Sequence, residues 1–238
     1  AIDITRREQL GNLPGPFDWI INTVSSGHGG TEAYHGIFVV GTQNLIDWFA
    51  DSPPPKYLFT SSTGVYGQTD GSWVDEDSPI EPSGETGQTL LEAESLALSI
   101  GGIVLRLSGI YGPERGHLYR QFLKSEAVMT GNPNRWMNMI HRDDVIGCIL
   151  AAMETAEPGT VLNATDNEPV TQKEFFQWLA DQLDRPLPPQ KPDVTPLKRA
   201  QTNKRVANSR AREILSWTPK YLTWREGYAK LMESEGVL

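Results

Sequence analysis

Lys56-Tyr57-Leu58-Phe59-Thr60-Ser61-Ser62-Thr63-Gly64-Val65-Tyr66-Gly67 begins as an apolar run and ends in small, turn-forming residues. It reads as a strand running into a small-residue turn, and the elements around it decide what kind of sheet it belongs to. Upstream, Phe17 to Val24 is a second compact apolar run, bounded by Pro14-Gly15-Pro16 and Ser25-Ser26-Gly27, which is how a buried parallel strand reads. Between the two, Ile37, Val40, Leu45 and Trp48 recur at helical spacing over about Gly36–Phe49, and Pro53-Pro54-Pro55 closes that helix. Downstream, a helix is predicted from about Glu85 to Ser99, ended by Gly101-Gly102, where glycine tolerates the left-handed conformation. Ile103–Leu107 is a third strand, Asp143–Met153 a helix and Thr160–Asn163 a short strand. Thr171 and Glu174 form a capping-box pair opening a helix over Phe175–Leu183. After a proline-rich link, Pro186 to Pro196, two short helical patterns follow at Ser209–Leu215 and Trp224–Leu231. Strands alternating with helices imply an α/β fold, a parallel sheet with helices on both faces.

The bulk composition narrows the function classes. Hydrophobic residues at 38% and charged residues at 21% describe an ordinary globular protein of 238 residues. A formal charge of -9 argues against nucleic-acid or anionic-membrane partners, which reward a basic face. The single cysteine, Cys148, lies in the apolar run Val145–Leu150 and reads as a small core residue. With no intramolecular disulfide available, no signal-peptide pattern and no membrane-length apolar run, a reducing, cytoplasmic setting is expected. The four histidines, His28, His35, His117 and His141, show no metal-ligand spacing with one another or with Cys148, so no metal is assigned.

Order and spacing of short motifs carry a family resemblance over about Asp18 to Tyr228. Phe59–Gly67 resembles a strand followed by "SS-x-x-VYG", and Val74-Asp75-Glu76 with Pro82 resembles the approach to a catalytic helix. Arg106-Leu107-Ser108-Gly109-Ile110-Tyr111-Gly112-Pro113 is similar to "R-x-x-x-(V/I)-YGP", and Ile140–Val145 to "(F/I)-H-V-x-D-V". Leu162-Asn163 and Ala211–Pro219 resemble the "y-N" and "LGW-x-P" elements. Together they resemble the extended short-chain dehydrogenases/reductases, the NAD-dependent epimerase/dehydratase family. That resemblance implies a Rossmann-type fold: a core over 1–113 completed by 141–165, and a smaller substrate-side portion over 166–238 joined through 114–140. It also implies NAD or NADP as cofactor and a nucleotide sugar or similar polar small molecule as substrate. The runner-up is a non-catalytic dinucleotide- or metabolite-binding protein or a degenerate relative.

Two departures qualify the resemblance. No G-x-x-G-x-x-G lies upstream of Phe17, and Ala1-Ile2-Asp3-Ile4 looks like a later family segment. The family's first strand–helix–strand unit, whose backbone N–H groups hold the pyrophosphate, is therefore expected to be missing from this sequence. An edge is then expected at Phe17–Val24, apolar and without lysine, and its coverage is expected from Ala1–Leu10, another chain or a segment not in this sequence. The second departure is chemical. Counting back from Glu94 puts Leu90 at the family's lysine position and Thr86 at its tyrosine position. Threonine has no ionisation near neutrality and leucine carries no charge, so the tyrosine–lysine proton relay is not available. The Thr86-Gly87 pair resembles the family's atypical extended branch.

By the same resemblance Ser62, Thr86 and His141 are candidate catalytic residues. Thr23, Ser61, Leu90 and Gly109 are candidates at the cofactor, and Tyr66 and Arg135 at the substrate. Each has a plainer reading. Ser62 suits a turn serine that bonds local backbone, Tyr66 suits packing beneath the sheet end, and Arg135 suits an exposed surface position. Near His141, Asp143 or Asp144 is placed to cap a helix. The expected partner is a small-molecule substrate, with a homo-oligomer left open and neither nucleic acid nor membrane.

Overall fold

The computed structural model describes residues 2–26, 30–191 and 202–237; His28 and residues 192–196 of the proline-rich link lie outside them. Its centre is a four-stranded parallel sheet, built from β1 (Trp19–Asn22), β2 (Lys56–Ser62), β4 (Ile103–Leu107) and β9 (Val161–Ala164), in the order β1-β2-β4-β9. Register sets Ile21 beside Leu58, Ser62 beside Leu107 and Arg106 beside Asn163. Alternation along β2 sends Phe59 to one face and Leu58 to the other, and each face has its own apolar cluster.

The first face is covered by α3 (Gly41–Trp48) and α4 (Glu85–Ser99), with α1 (Arg7–Leu10) packed on α3. A helix runs unbroken from α2 (Gly30–His35) through a π-helical turn at Gly36–Val40 into α3, six residues earlier than the sequence pattern starts it. The opposite face is covered by α6 (Arg142–Thr155) and α8 (Ser209–Leu215), where Cys148 is wholly buried. A third cluster lies beyond the sheet, around Tyr111, Phe175, Trp224 and Tyr228. It is built from α5 (His117–Leu123), α7 (Gln172–Leu183) and α9 (Trp224–Ser234). The capping box at α7 forms as the sequence reads, with Thr171 and Glu174 bonded reciprocally.

Short strand pairs stitch the connections to this frame. β3 (Trp73–Val74) pairs with β12 (Arg205–Val206), β5 (Gly109–Tyr111) with β8 (Met139–His141) and β6 (Met129–Thr130) with β11 (Gln190–Lys191). β7 (Trp136–Met137) pairs with β10 (Val170–Thr171).

Residues 2–10 do not cap the first edge. Ile2, Ile4 and Leu10 pack into the cluster under α3, and Asn44 donates to the Ile4 carbonyl. Among the described residues, β1 pairs only with β2, and Trp19 and Ile21 stay 43% and 39% exposed.

Candidate active site at the carboxyl end of the sheet

β2 ends at Ser62, and Thr63–Val65 turns away as a single 3₁₀ turn. Ser62 Oγ accepts from the Gly64 amide at 3.1 Å, the local bond expected of a turn serine. Its own proton is committed to none of the described residues. The first turn of α4 lies directly on this turn: a Cβ on Gly87 would meet the Gly64 carbonyl at 3.2 Å and Pro82 at 2.4 Å. Thr86 precedes it, half-buried, with no hydrogen bond to its side chain among the described residues. Leu90 goes elsewhere. It is 4% exposed and packs with Phe59, Val65 and Tyr66 in the core, so its side chain does not face an open cofactor surface. Thr23 and Gly109 are exposed where the chain leaves β1 and enters β5. The exposed and half-buried candidates at the strand ends are thus Thr23, Ser62, Thr86 and Gly109.

Ser61 and Tyr66 belong to a buried polar network behind this surface. Glu94 on α4 accepts from Ser61 Oγ at 2.5 Å and is held by Arg106 of β4, with Nη2 to Oε2 at 2.7 Å and Nε to Oε1 at 3.1 Å. Both members of the ion pair are nearly inaccessible to solvent, at 4% and 3% side-chain exposure. Burial works against the Arg106 charge, but Glu94 outweighs it and the guanidinium is held above its ordinary range. Arg106 Nη1 also donates to the Tyr66 hydroxyl at 2.9 Å, which donates to Asn163 Oδ1 at 2.9 Å. Burial pushes the Tyr66 phenol up, and at 0% exposure it presents no surface to a substrate. The network therefore joins β2, α4, β4 and β9. Its residues carry several of the sequence motifs, and its role is bracing.

His141 sits apart. It faces Tyr111 across the β5–β8 pair, and Tyr111 lies four residues beyond the partner of Ser62, on the order of 13 Å of extended chain. Its Nδ1 accepts from the Asp143 amide at 3.1 Å, so His141 caps α6, a role for which the sequence pattern offers Asp143 or Asp144. With Nδ1 accepting, the neutral ring carries its proton on Nε2, and burial lowers its pKa. Asp144 instead accepts from the amides of Lys220 and Tyr221, tying down the C-terminal segment. Nearby, Asp166 is 2% exposed, and burial, then Asp144, push its carboxyl up to about 8. One oxygen accepts from the Glu168 amide, and the Trp224 backbone amide acts on the carboxyl in the opposite sense to burial, pulling its pKa back down.

Arg135 is half-buried rather than exposed, and burial lowers its pKa. Beside it stands Lys204, which the sequence did not single out. Lys204 is 5% exposed and donates to the Tyr66 carbonyl at 2.7 Å. A lone lysine in a polar tail carries no periodic or motif signal; only the fold reveals its burial.

A parallel sheet that opens turn residues at its carboxyl end, covered by helices on both faces, defines a Rossmann-type fold, and in open sheets of this kind ligands bind outside the carboxyl ends of the strands. The sequence model of the NAD dependent epimerase/dehydratase family matches residues 1–164, and the chain belongs to that family. Protein YeeZ of Escherichia coli K12 is 31% identical over 146 residues, 60% of this chain and 52% of that protein. A 3-diazoavenalumate denitrifying reductase of a Streptomyces species is 28% identical over 212 residues, 80% of this chain and 69% of the reductase. The chain thus spans about half the length of the first relative and about two thirds of the second. Among solved structures, DesIV of Streptomyces venezuelae, a dTDP-glucose 4,6-dehydratase with NAD and TYD bound, superposes with a TM-score of 0.85. That match has 18% identity, covers 97% of this chain and 77% of DesIV, and shows the shared fold. No described helix is long and apolar enough to cross a membrane, and no described group of His, Cys, Asp and Glu forms a metal cluster.

Proposed function

We propose that this chain forms the substrate-facing part of an NAD(P)-dependent oxidoreductase. It acts on a nucleotide sugar or similar polar small molecule without a tyrosine–lysine relay. The observation that carries this reading is the surface where α4 meets the Ser62 turn. It presents a half-buried threonine and a serine with an uncommitted hydroxyl proton, while Leu90 is buried in the core. Such a surface suits hydride transfer in which a hydroxyl orients the reacting oxygen and the proton comes from solvent. A nicotinamide nucleotide would lie across the ends of β1, β2 and β4, against Thr23, Ser62 and Gly109. These residues fit its nicotinamide half; residues 1–238 contain no glycine-rich turn ahead of β1 for its pyrophosphate.

The test is a panel of nucleotide sugars and aromatic acids with NADH or NADPH deuterated at the transferring position, reading deuterium in the product. Label transfer is expected, with Ser62→Ala lowering kcat/KM by about 10²-fold, as for removal of one positioned donor. The restored pair Thr86→Tyr with Leu90→Lys should give no gain. The same lack of an ionisable group at this surface favours a second reading, a binding protein without turnover. Nucleotide or substrate binding with no label transfer across the panel would decide for it. This chain alone should bind either nucleotide more weakly than low-micromolar, and titration calorimetry showing tighter binding would contradict the assignment of a half-site.

A further inference from the structure

α6 buries one face and leaves the other open. Val145, Cys148 and Ala152 enter the cluster between this helix and the sheet, and α6 packs on β2, β4, β8 and α8. On the outer face Ile146 and Leu150 are 51% and 49% exposed, and they belong to none of the three apolar clusters of the described residues. Four residues ahead of Ile146 stands exposed Arg142, and four beyond Leu150 stands exposed Glu154. Residues four apart lie one above the other on a helix. Arg142, Ile146, Leu150 and Glu154 therefore form one ridge, about 18 Å long at 1.5 Å per residue. Its middle is apolar and its two ends carry opposite charges.

That order of charges does nothing for the helix by itself. A helix favours anions at its N-terminal end and cations at its C-terminal end, and Arg142 and Glu154 stand the other way round. Arg142 lies 3.7 Å from Asp143 Oδ1 in a solvent-exposed pair, and Asp143 also meets Lys220 at 3.6 Å. Lys56, at the Glu154 end, is engaged by backbone: its Nζ donates to the Met153 carbonyl and, at 3.0 Å, to the Glu154 carbonyl. The ridge does complement a second copy of itself. In a two-fold pair the same surface serves both subunits. With the helices antiparallel and the axis level with Cys148, Ile146 faces the partner's Leu150 and Arg142 faces the partner's Glu154, and each contact occurs twice. A parallel pair would set like charges together. Ridges of this four-residue spacing are also the ones that interdigitate in the commonest class of helix packing.

We propose that the outer face of α6 is a homodimer interface, closed by a two-fold axis that sets α6 antiparallel to its copy in the partner. The charge order selects a second copy as the occupant, because each end of the ridge is matched by the opposite end of the same ridge. A single helix face offers less than the roughly 800 Å² per partner of a standard interface, so a dissociation constant in the micromolar range is expected. The interface lies on the face of the sheet opposite α4, apart from the surface where α4 meets the Ser62 turn.

Sedimentation velocity across the micromolar range tests it, and the wild-type chain should pass from monomer to dimer. Ile146→Glu and Leu150→Glu, each at a half-exposed position, should keep the fold by circular dichroism and weaken the dimer at least tenfold. Arg142→Glu alone, or Glu154→Arg alone, sets like charges across the axis and should weaken it about tenfold. The double variant Arg142→Glu with Glu154→Arg should return to within threefold of the wild type, a recovery that a merely structural effect of either change would not give. Should a glutamate variant at Ile146 or Leu150 misfold, the charge series at exposed positions decides alone. Ile21→Lys, which removes association through the open sheet edge, should leave this dimer within threefold. A wild-type chain that stays monomeric throughout the range overturns the interface. So does a dimer that survives the Ile146 and Leu150 variants, one that the double charge variant fails to recover, or one that only Ile21→Lys dissolves.

Discussion

The two edges of the central sheet are built from similar short strands and are finished very differently. At β9, the outward-pointing amide of Asn163 donates to Glu76 Oε1 at 2.6 Å, and the Asn163 side chain donates to the Ala207 carbonyl. α8 packs against the strand, and Leu162, Asn163 and Ala164 are all 0% exposed. At β1, Trp19, Ile21 and Thr23 lie open and no described strand pairs with the outer side. A parallel strand is apolar because its two faces are buried, and that says nothing about its hydrogen-bonding edge. At β9 the edge is closed by a carboxylate from a loop 87 residues away in sequence.

The largest effect should come from the network behind the closed half. Arg106→Ala leaves Glu94 as an unpaired buried charge, and a loss of about 3–5 kcal/mol is expected from urea unfolding. A loss under about 1 kcal/mol would mean that the network does not hold β2, β4 and β9 together. Next is Asp166, two residues beyond β9. Its folded pKa, about 8, lies above the unfolded value. Its favourable share is therefore full below about pH 4 and is lost as pH rises toward 8, at up to about 1.4 kcal/mol per pH unit. Asp166→Asn should flatten that slope between pH 5 and 8 in denaturation curves; an unchanged slope would refute the assignment. The smallest change in stability belongs to the open edge. Ile21→Lys should shift stability by only about 0.5 kcal/mol yet reduce self-association, followed by light scattering against concentration. If the wild-type chain is monomeric and soluble at high concentration with the edge bare, the contrast between the edges has no consequence in solution.

Much of this architecture was legible in the sequence, because periodicity and capping report local structure. The helix over Glu85–Ser99, the strand Lys56–Ser62 and the Thr171–Glu174 box appear where their residues put them. The start of α2 was missed because Thr31, Glu32 and His35 give no apolar stripe ahead of the π turn. The site was less legible. Leu90, the position reached by counting back from Glu94, has its side chain in the core, because a leucine beside Phe59 and Val65 gains more from burial than from facing an open surface. Lys204 and Asp166 owe their unusual states to burial by segments distant in the chain, and no local pattern encodes that.

The ladder Ser61–Glu94–Arg106–Tyr66–Asn163 also bears on how proteins of this kind are sorted. Its members supply several of the letters by which the chain is recognised, and they are letters of joinery. A descendant could exchange every reacting group at the strand ends, or retire from chemistry altogether, while selection for a sound sheet kept the signature intact. Membership read from these positions certifies a scaffold; the trade practised on it is written in the neighbouring, exposed positions.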